Sequence, residues 1–302
     1  MSEITAPAHP APTSQELVAG LLRLLDVDDA GPDAFTGHRR PGGKGRMFGG
    51  QVIAQGLVAA ERTVAPDRPV HSLHAYFLRG GDETLPVDFT VERDLDGGSF
   101  ANRRVVAAQA GKPILTLLAS FHRREEGAFH ADPMPDVPPP EGLRSEAELR
   151  AEFIDRLPED KREIMLRTRP IELRPVEARH WMGAAPREAR SHTWFRAAAA
   201  LPDDPRVHRA VLAYASDMNL LGTCTLPHGL SWITGNVMAV SLDHAIWFHD
   251  DFRADEWLLY VCDSPWAGGA RGFNRGRIYT RDGRYVASVA QEGLIRPLAK
   301  KT

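Results

Sequence analysis

Four polar side chains stand inside one apolar stretch of the chain, Val237 to His249, which reads VMAVSLDHAIWFH. They are a hydroxyl, a carboxylate and two imidazoles: Ser241, Asp243, His244 and His249. Branched and aromatic residues surround them in a run shorter than a typical helix, and this predicts one continuous buried strand from Asn236 to His249. Buried polar groups cost free energy unless they are hydrogen-bonded, so each of the four needs a structural partner or a chemical role.

Two more polar residues interrupt apolar segments of the same half of the chain. Asp217 lies late in a segment with helical periodicity, where aspartate has poor helix propensity and is costly if buried. Gln291 interrupts an apolar strand, where a buried amide needs partners. The structural alternatives are an ion pair of Asp217 with Arg271 or Arg275, and a hydrogen bond from Gln291 to a neighbouring strand or loop.

Two other kinds of site can be weighed against these residues. Ser216 with Asp243 and His244 suggests a Ser-His-Asp hydrolase, but adjacent strand residues point to opposite faces, and the chain has no Gly-x-Ser-x-Gly motif. A metal site would draw on scattered residues with only one local Cys-His pair, and we therefore predict no metal. Those residues are Cys224, His228, His244 and His249.

An earlier stretch, Val70 to Phe77 (VHSLHAYF), repeats part of this pattern. A glycine pair follows each copy at a similar distance, at Gly97-Gly98 in the first and at Gly268-Gly269 in the second. Similar order and spacing across half of the chain indicate an internal duplication. The first copy has Ala119 near the position that corresponds to Gln291, so we expect one site per chain, in the second half.

Each copy reads as a long helix followed by an antiparallel sheet, and the fold class predicted is α+β. The helices are expected at residues 51–64 and 205–220, and a sheet that wraps its helix would bury one face of each. A proline-rich and charged segment separates the copies, with a helix expected at residues 143–157. The predicted division is a disordered lead-in at 1–14, a first unit at 15–125, a linker at 126–168 and a second unit at 169–302.

Bulk composition excludes several classes of protein. The 43% hydrophobic and 25% charged residues are ordinary for a globular chain, and a net charge of -3 gives no reason to expect nucleic acid as a partner. Two cysteines fit a reducing compartment. Neither a spanning apolar run nor a signal-peptide pattern is found, so we expect a cytoplasmic protein without stable membrane insertion.

Several long motifs, in order, resemble those of the acyl-CoA thioesterase II family, whose members have a double hotdog fold. They are FGGQVIAQGL (48–57), AYASDMNLL (213–221), SLDHAIWFH (241–249) and ARGFNRGRIYTRDGRYVASVAQEGLIR (270–296). The resemblance covers roughly residues 35–297 apart from the linker. It implies hydrolysis of medium- to long-chain acyl-CoA to fatty acid and CoA, without a cofactor.

The resemblance also implies roles for particular residues. Family members hold the attacking water with an Asp, a Thr or Ser, and a Gln, which match Asp217, Ser241 and Gln291. Ser241 departs from the commoner Thr and loses the methyl group that restricts the hydroxyl's rotamer.

The expected substrate contacts are less specific. Gly49 and Gly50 either allow close packing or present backbone N–H groups to a substrate oxygen. Arg271 and Arg275 are either a charged strand edge or the contacts of the CoA phosphates. Trp266 is expected in the core or at the rim of the acyl channel.

Two other functions fit a hotdog chain. A dehydratase or hydratase acting on acyl-CoA would need an Asp/His pair at the C2–C3 bond, and that paired signature is missing. A non-catalytic acyl-CoA-binding module would tolerate the loss of Asp217 or Gln291, yet both are present. Further association of double hotdog chains into a homo-oligomer is expected in either case.

Overall fold

The structure, a computed structural model, describes residues 11–156, 159–179, 185–231 and 235–298. Most of the predicted lead-in, residues 1–10, lies outside these ranges. The α-helices are α1 (Ser14–Leu25), α2 (Gly49–Glu61), α3 (Glu146–Phe153), α4 (Glu159–Leu166) and α5 (Pro205–Ser216), and a 3₁₀ helix (Leu221–His228) follows α5. Within the described ranges no helix combines the length and the apolar character that crossing a lipid bilayer requires.

All the strands described belong to one sheet. They are β1 (Val27–Gly31), β2 (Ala34–Gly37), β3 (Val70–Phe77), β4 (Val87–Asp96), β5 (Phe100–Gln109), β6 (Lys112–His122), β7 (Ile171–Pro175), β8 (Arg190–Ala197), β9 (Val237–Ser241), β10 (Asp243–Phe248), β11 (Leu258–Gly268), β12 (Arg271–Thr280) and β13 (Tyr285–Pro297). Their order is β1-β2-β4-β5-β6-β3-β10-β13-β12-β11-β8-β7, with β9 paired to β13 beside this path.

The two halves of the chain meet at the antiparallel pair β3–β10, in the middle of the sheet. The first six strands of the order come from the first half, and the rest come from the second half. The helices α2 and α5 pack against each other, and their apolar side chains share a core with the sheet. This arrangement confirms the α+β tandem hotdog fold.

The central helix α2 is apolar on nearly all sides, which is typical of a helix surrounded by protein. Ile53, Ala54 and Leu57 are completely buried, and so is Leu212 of α5. The first turn of α2 has no side-chain cap of its own, because Phe48 occupies the N-cap position. The orphan N–H groups at this helix start therefore need acceptors from elsewhere in the molecule.

The expectation of one continuous strand from Asn236 to His249 is wrong, because the strand breaks at Leu242. Ser241 pairs with Gly293, whereas Ala245 pairs with Ala290. The four steps from Ser241 to Ala245 therefore lie opposite only three steps of β13, from Gly293 to Ala290, and this mismatch defines a β-bulge. The bulged residue keeps its backbone hydrogen bonds, since the Leu242 N–H donates to Glu292 (2.9 Å) and the Leu242 carbonyl accepts from Phe77 (2.9 Å).

Two predicted helix boundaries also differ from the structure. Helix α5 ends at Ser216 rather than at Leu220, and Asp217 is its C-cap. The linker helix predicted at residues 143–157 is shorter in the structure, where α3 ends at Phe153 and a 3₁₀ turn (Ile154–Arg156) follows it. Helix ends are poorly marked in the sequence when no glycine or proline follows the last turn.

Two glycines of α2 provide a matched test of how closely α2 and α5 pack. A Cβ at Gly50 would lie 2.5 Å from the Tyr214 backbone oxygen, whereas a Cβ at Gly56 would meet nothing closer than 3.6 Å. We expect Gly50→Ala to lower the free energy of unfolding by about 1–3 kcal/mol through overpacking. Gly56→Ala should raise it by up to about 1 kcal/mol through helix propensity. Urea unfolding measures both, and equal effects would contradict this packing.

Candidate active site

Asp217 lies where the two halves of the chain meet. Asp217 follows the last residue of α5, and its carboxylate is buried. Oδ2 accepts a hydrogen bond from the Gly50 N–H (2.8 Å), and Oδ1 accepts one from Gln291 Nε2 (2.7 Å). One donor therefore comes from the first half and the other from strand β13 of the second half.

The contact with Gly50 caps helix α2 from outside. The start of a helix carries partial positive charge and free N–H groups, and both favour a carboxylate. Neither glycine tolerates a side chain here, because a Cβ at Gly49 would lie 2.8 Å from Asp217 Oδ2 and a Cβ at Gly50 would strike Tyr214. Gly49 is thus required by the approach of Asp217, and Gly50 by the approach of the α5 backbone.

Gln291 joins the site through one nitrogen. Its Nε2 lies 2.7 Å from Asp217 Oδ1, 3.1 Å from Ser241 Oγ and 3.1 Å from His244 Nδ1. The side chain is completely buried, and among the described residues its Oε1 has no hydrogen-bond partner. The structure therefore brings Asp217, Ser241 and Gln291 together and leaves a free acceptor beside them.

The bulge at Leu242 makes this cluster possible. In an unbroken strand, Ser241 and His244 would point to opposite faces, because side chains alternate. The extra residue lets both side chains reach the Gln291 amide. The Asp243 carboxylate does not join them and instead accepts the Glu292 N–H (2.6 Å), which holds the strands together at the bulge.

The Ser216–His244 contact was not expected from the sequence. Ser216 Oγ lies 2.9 Å from His244 Nε2, but Asp243 points elsewhere, so the rejected Ser-His-Asp arrangement with Asp243 is absent from the described residues. Two buried polar residues next to predicted site residues were the only signal for this contact. Within the described ranges no group of three His, Cys, Asp or Glu side chains is arranged to hold a metal.

The predicted arginines and tryptophan are not brought to Asp217. Arg275 pairs with Asp263 (2.6 Å) and Arg271 lies 3.5 Å from Glu292, so neither forms the ion pair with Asp217 that was the structural alternative. Asn274 is paired with Gln291 across the strands, and strand alternation places both arginines on the other face. Trp266 is half-exposed with Arg271 above its ring. A substrate role for these three stays a prediction.

Burial sets the protonation of the site. It raises the pKa of Asp217 from its ordinary value to about 6, against the opposing effects of the Gln291 and Gly50 hydrogen bonds. Burial also lowers the pKa of His244 to about 3. At neutral pH an ionised carboxylate therefore lies next to a neutral imidazole. A carboxylate with a pKa near 6 can accept a proton from a bound water, while a hydroxyl and an amide orient that water.

The raised pKa predicts that Asp217 lowers the stability of the fold at neutral pH. Folding favours the protonated acid, so this stabilising contribution is present below the unfolded pKa of 3.8 and is lost as the pH rises to about 6. We expect Asp217→Asn to raise the free energy of unfolding at pH 7.5 by about 1–3 kcal/mol. The gain should shrink towards pH 4 in urea unfolding. A variant less stable than the parent at pH 7.5 would refute this.

Comparisons with known proteins agree with this architecture. The family model described as acyl-CoA thioesterase matches residues 161–294, and the model of the acyl-CoA thioesterase N-terminal domain matches residues 38–122. The first of these matches covers most of the second half of the chain and includes Asp217, Ser241 and Gln291. The other match lies in the first half.

Known acyl-CoA thioesterases are similar to this protein over nearly its whole length. Human acyl-coenzyme A thioesterase 8 is 42% identical, with 93% of this chain and 89% of the relative covered. Acyl-CoA thioesterase 2 of Haemophilus influenzae is 35% identical, with 91% and 96% covered. The crystal structure of acyl-CoA thioesterase II from Mycobacterium marinum is 41% identical, covers 92% of this chain and 98% of its own, and superposes with a TM-score of 0.75. The chain therefore belongs to the acyl-CoA thioesterase II family and is a thioester hydrolase.

Proposed function

We propose that this protein hydrolyses medium- to long-chain fatty acyl-CoA by direct attack of a water held by Asp217, Ser241 and Gln291. The preference for chain length rests on the family resemblance of the motifs. The mechanism is supported by one observation above all, the buried contact of Gln291 with Asp217 and Ser241 beside the free Oε1 of the amide.

A thioester is reactive enough for water to attack it without a covalent enzyme intermediate. Asp217 takes one proton from the water as its oxygen bonds to the thioester carbon. The Ser241 hydroxyl and the Gln291 amide hold the water on the line of attack. The C–S bond then breaks, CoA leaves as a thiolate that takes up a proton, and the fatty acid is released. Since the pKa of Asp217 is about 6, the base is ionised at neutral pH.

The start of α2 is the proposed source of stabilisation for the carbonyl oxygen. The Gly50 N–H is already donated to Asp217. The Gly49 N–H, the first of the helix, has no partner among the described residues, and a Cβ on Gly49 would lie 2.8 Å from Oδ2 of the same carboxylate. We assign to it the role of oxyanion donor, where the helix dipole adds to the hydrogen bond. Gly50 then contributes indirectly, by holding the base.

Rates of thiol release from decanoyl-CoA and palmitoyl-CoA test this mechanism. Asp217→Asn, Gln291→Ala and Ser241→Ala should each lower kcat by about 100-fold or more, because each removes a group that orients or deprotonates the water. Ser241→Thr is the matched control, since it keeps the hydroxyl. The parent's kcat should fall as the pH drops below about 6, where Asp217 becomes protonated. Folded variants with unchanged rates would refute the water-holding set.

The phosphates of CoA are assigned to Arg271 and Arg275, with Trp266 beside Arg271. Both guanidinium groups are half-exposed and have a carboxylate neighbour, which a phosphate would have to displace. The double substitution Arg271→Gln/Arg275→Gln should raise KM for decanoyl-CoA about tenfold, and leave KM for the decanoyl thioester of N-acetylcysteamine, which lacks phosphates, unchanged. If the double variant and the parent have the same KM for decanoyl-CoA, these arginines do not bind the substrate.

The cytoplasmic location and the association into homo-oligomers also stay predictions. The predicted location rests on the composition of the chain, and the predicted association rests on the general tendency of hotdog units to pair. Both cysteines, Cys224 and Cys262, are buried as free thiols. Size measurement in solution would test the oligomeric state.

A further inference from the structure

Behind Gln291 lies a chain of buried polar groups to which the proposed mechanism gives no role. The Ser216 hydroxyl donates to the Ala213 carbonyl (3.0 Å) within α5. Ser216 Oγ lies 2.9 Å from His244 Nε2, and His244 Nδ1 lies 3.1 Å from Gln291 Nε2. Ser216, His244 and Gln291 are completely buried. These hydrogen bonds therefore connect the backbone of α5 to the Gln291 amide, which contacts Asp217.

The protons along this chain can be assigned from its ends. Because the Ser216 hydroxyl donates its hydrogen bond to the Ala213 carbonyl, Ser216 Oγ must accept a hydrogen bond from the N–H at His244 Nε2. A neutral imidazole carries one N–H, so Nδ1 is left as an acceptor. Gln291 must then present its NH₂ group to His244, since its carbonyl oxygen would face a lone pair. The amide oxygen is thereby directed away from both His244 and Asp217, and it is the atom without a partner.

His244 becomes important at one step of the proposed reaction. While Asp217 is ionised, it also demands the NH₂ end of the amide, because its Oδ1 is only 2.7 Å from Nε2. Once Asp217 has taken the proton of the water, its O–H could donate to the amide oxygen, and this constraint is lost. His244 remains an acceptor, since its own proton is committed to Ser216.

The first half of the chain shows that the fold does not need this polar pair. In the central strand pair, Leu73 of β3 and His244 of β10 are both completely buried and lie two register positions apart, because Leu73 lies opposite Ile246 and Ala75 lies opposite His244. Leu73 pairs with Ala119, and both are buried. In the first half a buried apolar pair thus links β3 to β6, whereas in the second half the buried polar residues His244 and Gln291 link β10 to β13.

We propose that His244 is a positioning residue that keeps the Gln291 amide oriented, with one N–H towards Asp217, the other towards His244, and the oxygen towards the reacting water. Ser216 acts one step further back, because it fixes which imidazole nitrogen carries the proton. This inference rests on the proposed roles of Asp217 and Gln291.

Kinetics of the protein with decanoyl-CoA test it. We expect His244→Leu to lower kcat about 100-fold and Ser216→Ala about tenfold, with KM changed less than about twofold, because the water is misplaced while the substrate site is intact. His244→Asn can still offer an acceptor near the position of Nδ1, and its kcat should be at least about tenfold higher than that of His244→Leu. Thermal unfolding of each variant confirms that it is folded.

A double-mutant cycle separates positioning from a merely structural role. In the Gln291→Ala background, His244→Leu should have no further effect on kcat, because there is no amide left to orient. The ¹⁵N spectrum of the histidines in the parent should show His244 protonated on Nε2. Additive losses, or protonation on Nδ1, would overturn the inference. Should Gln291→Ala itself retain full activity, the proposed mechanism fails. Should it be inactive while folded His244→Leu is fully active, only the role of His244 fails.

Discussion

Removing the Asp217 carboxylate from water costs free energy that is partly offset by two hydrogen bonds from described residues, one from the Gly50 N–H and one from the Gln291 amide. The imbalance raises the pKa of the acid to about 6. The close approach of the carboxylate to α2 excludes a side chain at position 49, and the close approach of the α5 backbone excludes one at position 50. In return, the acid caps a buried helix that has no polar N-cap residue. Burial of the acid at the start of α2 therefore both raises its pKa and supplies the cap of that helix.

The sequence predicted more of the fold than of the site. The repeated strand pattern and the helix in each half were enough to predict two similar units, because hydrophobic periodicity reports directly which face is buried. The meeting of Asp217, Ser241 and Gln291, which are far apart in the chain, came from the family resemblance. Spacing alone cannot bring together residues on α5, β9 and β13, whose distances depend on tertiary packing.

Two features could not be predicted, for different physical reasons. The bulge at Leu242 lies in a run without glycine or proline, and strand alternation counted through it gives the wrong face for either Ser241 or His244. The arginines at 271 and 275, whose contact with CoA stays a prediction, flank Asn274, which pairs with the site residue Gln291. Only the register of β12 against β13, which pairs Asn274 with Gln291, shows that they face the other way.

The contact between Gly50 and Asp217 joins the two halves of one polypeptide, and this has a consequence for how such a chain can evolve. In a dimer of identical hotdog subunits every mutation occurs twice, so a substitution that disables one site disables both. Here the two copies mutate separately. The first half holds Leu73 and Ala119 as a buried apolar pair, and its Glu61, at the end of α2, forms a buried ion pair with Arg209 of the second half. It is thus free to change its side chains, as long as it keeps a glycine pair at the start of a helix for the acid of its neighbour.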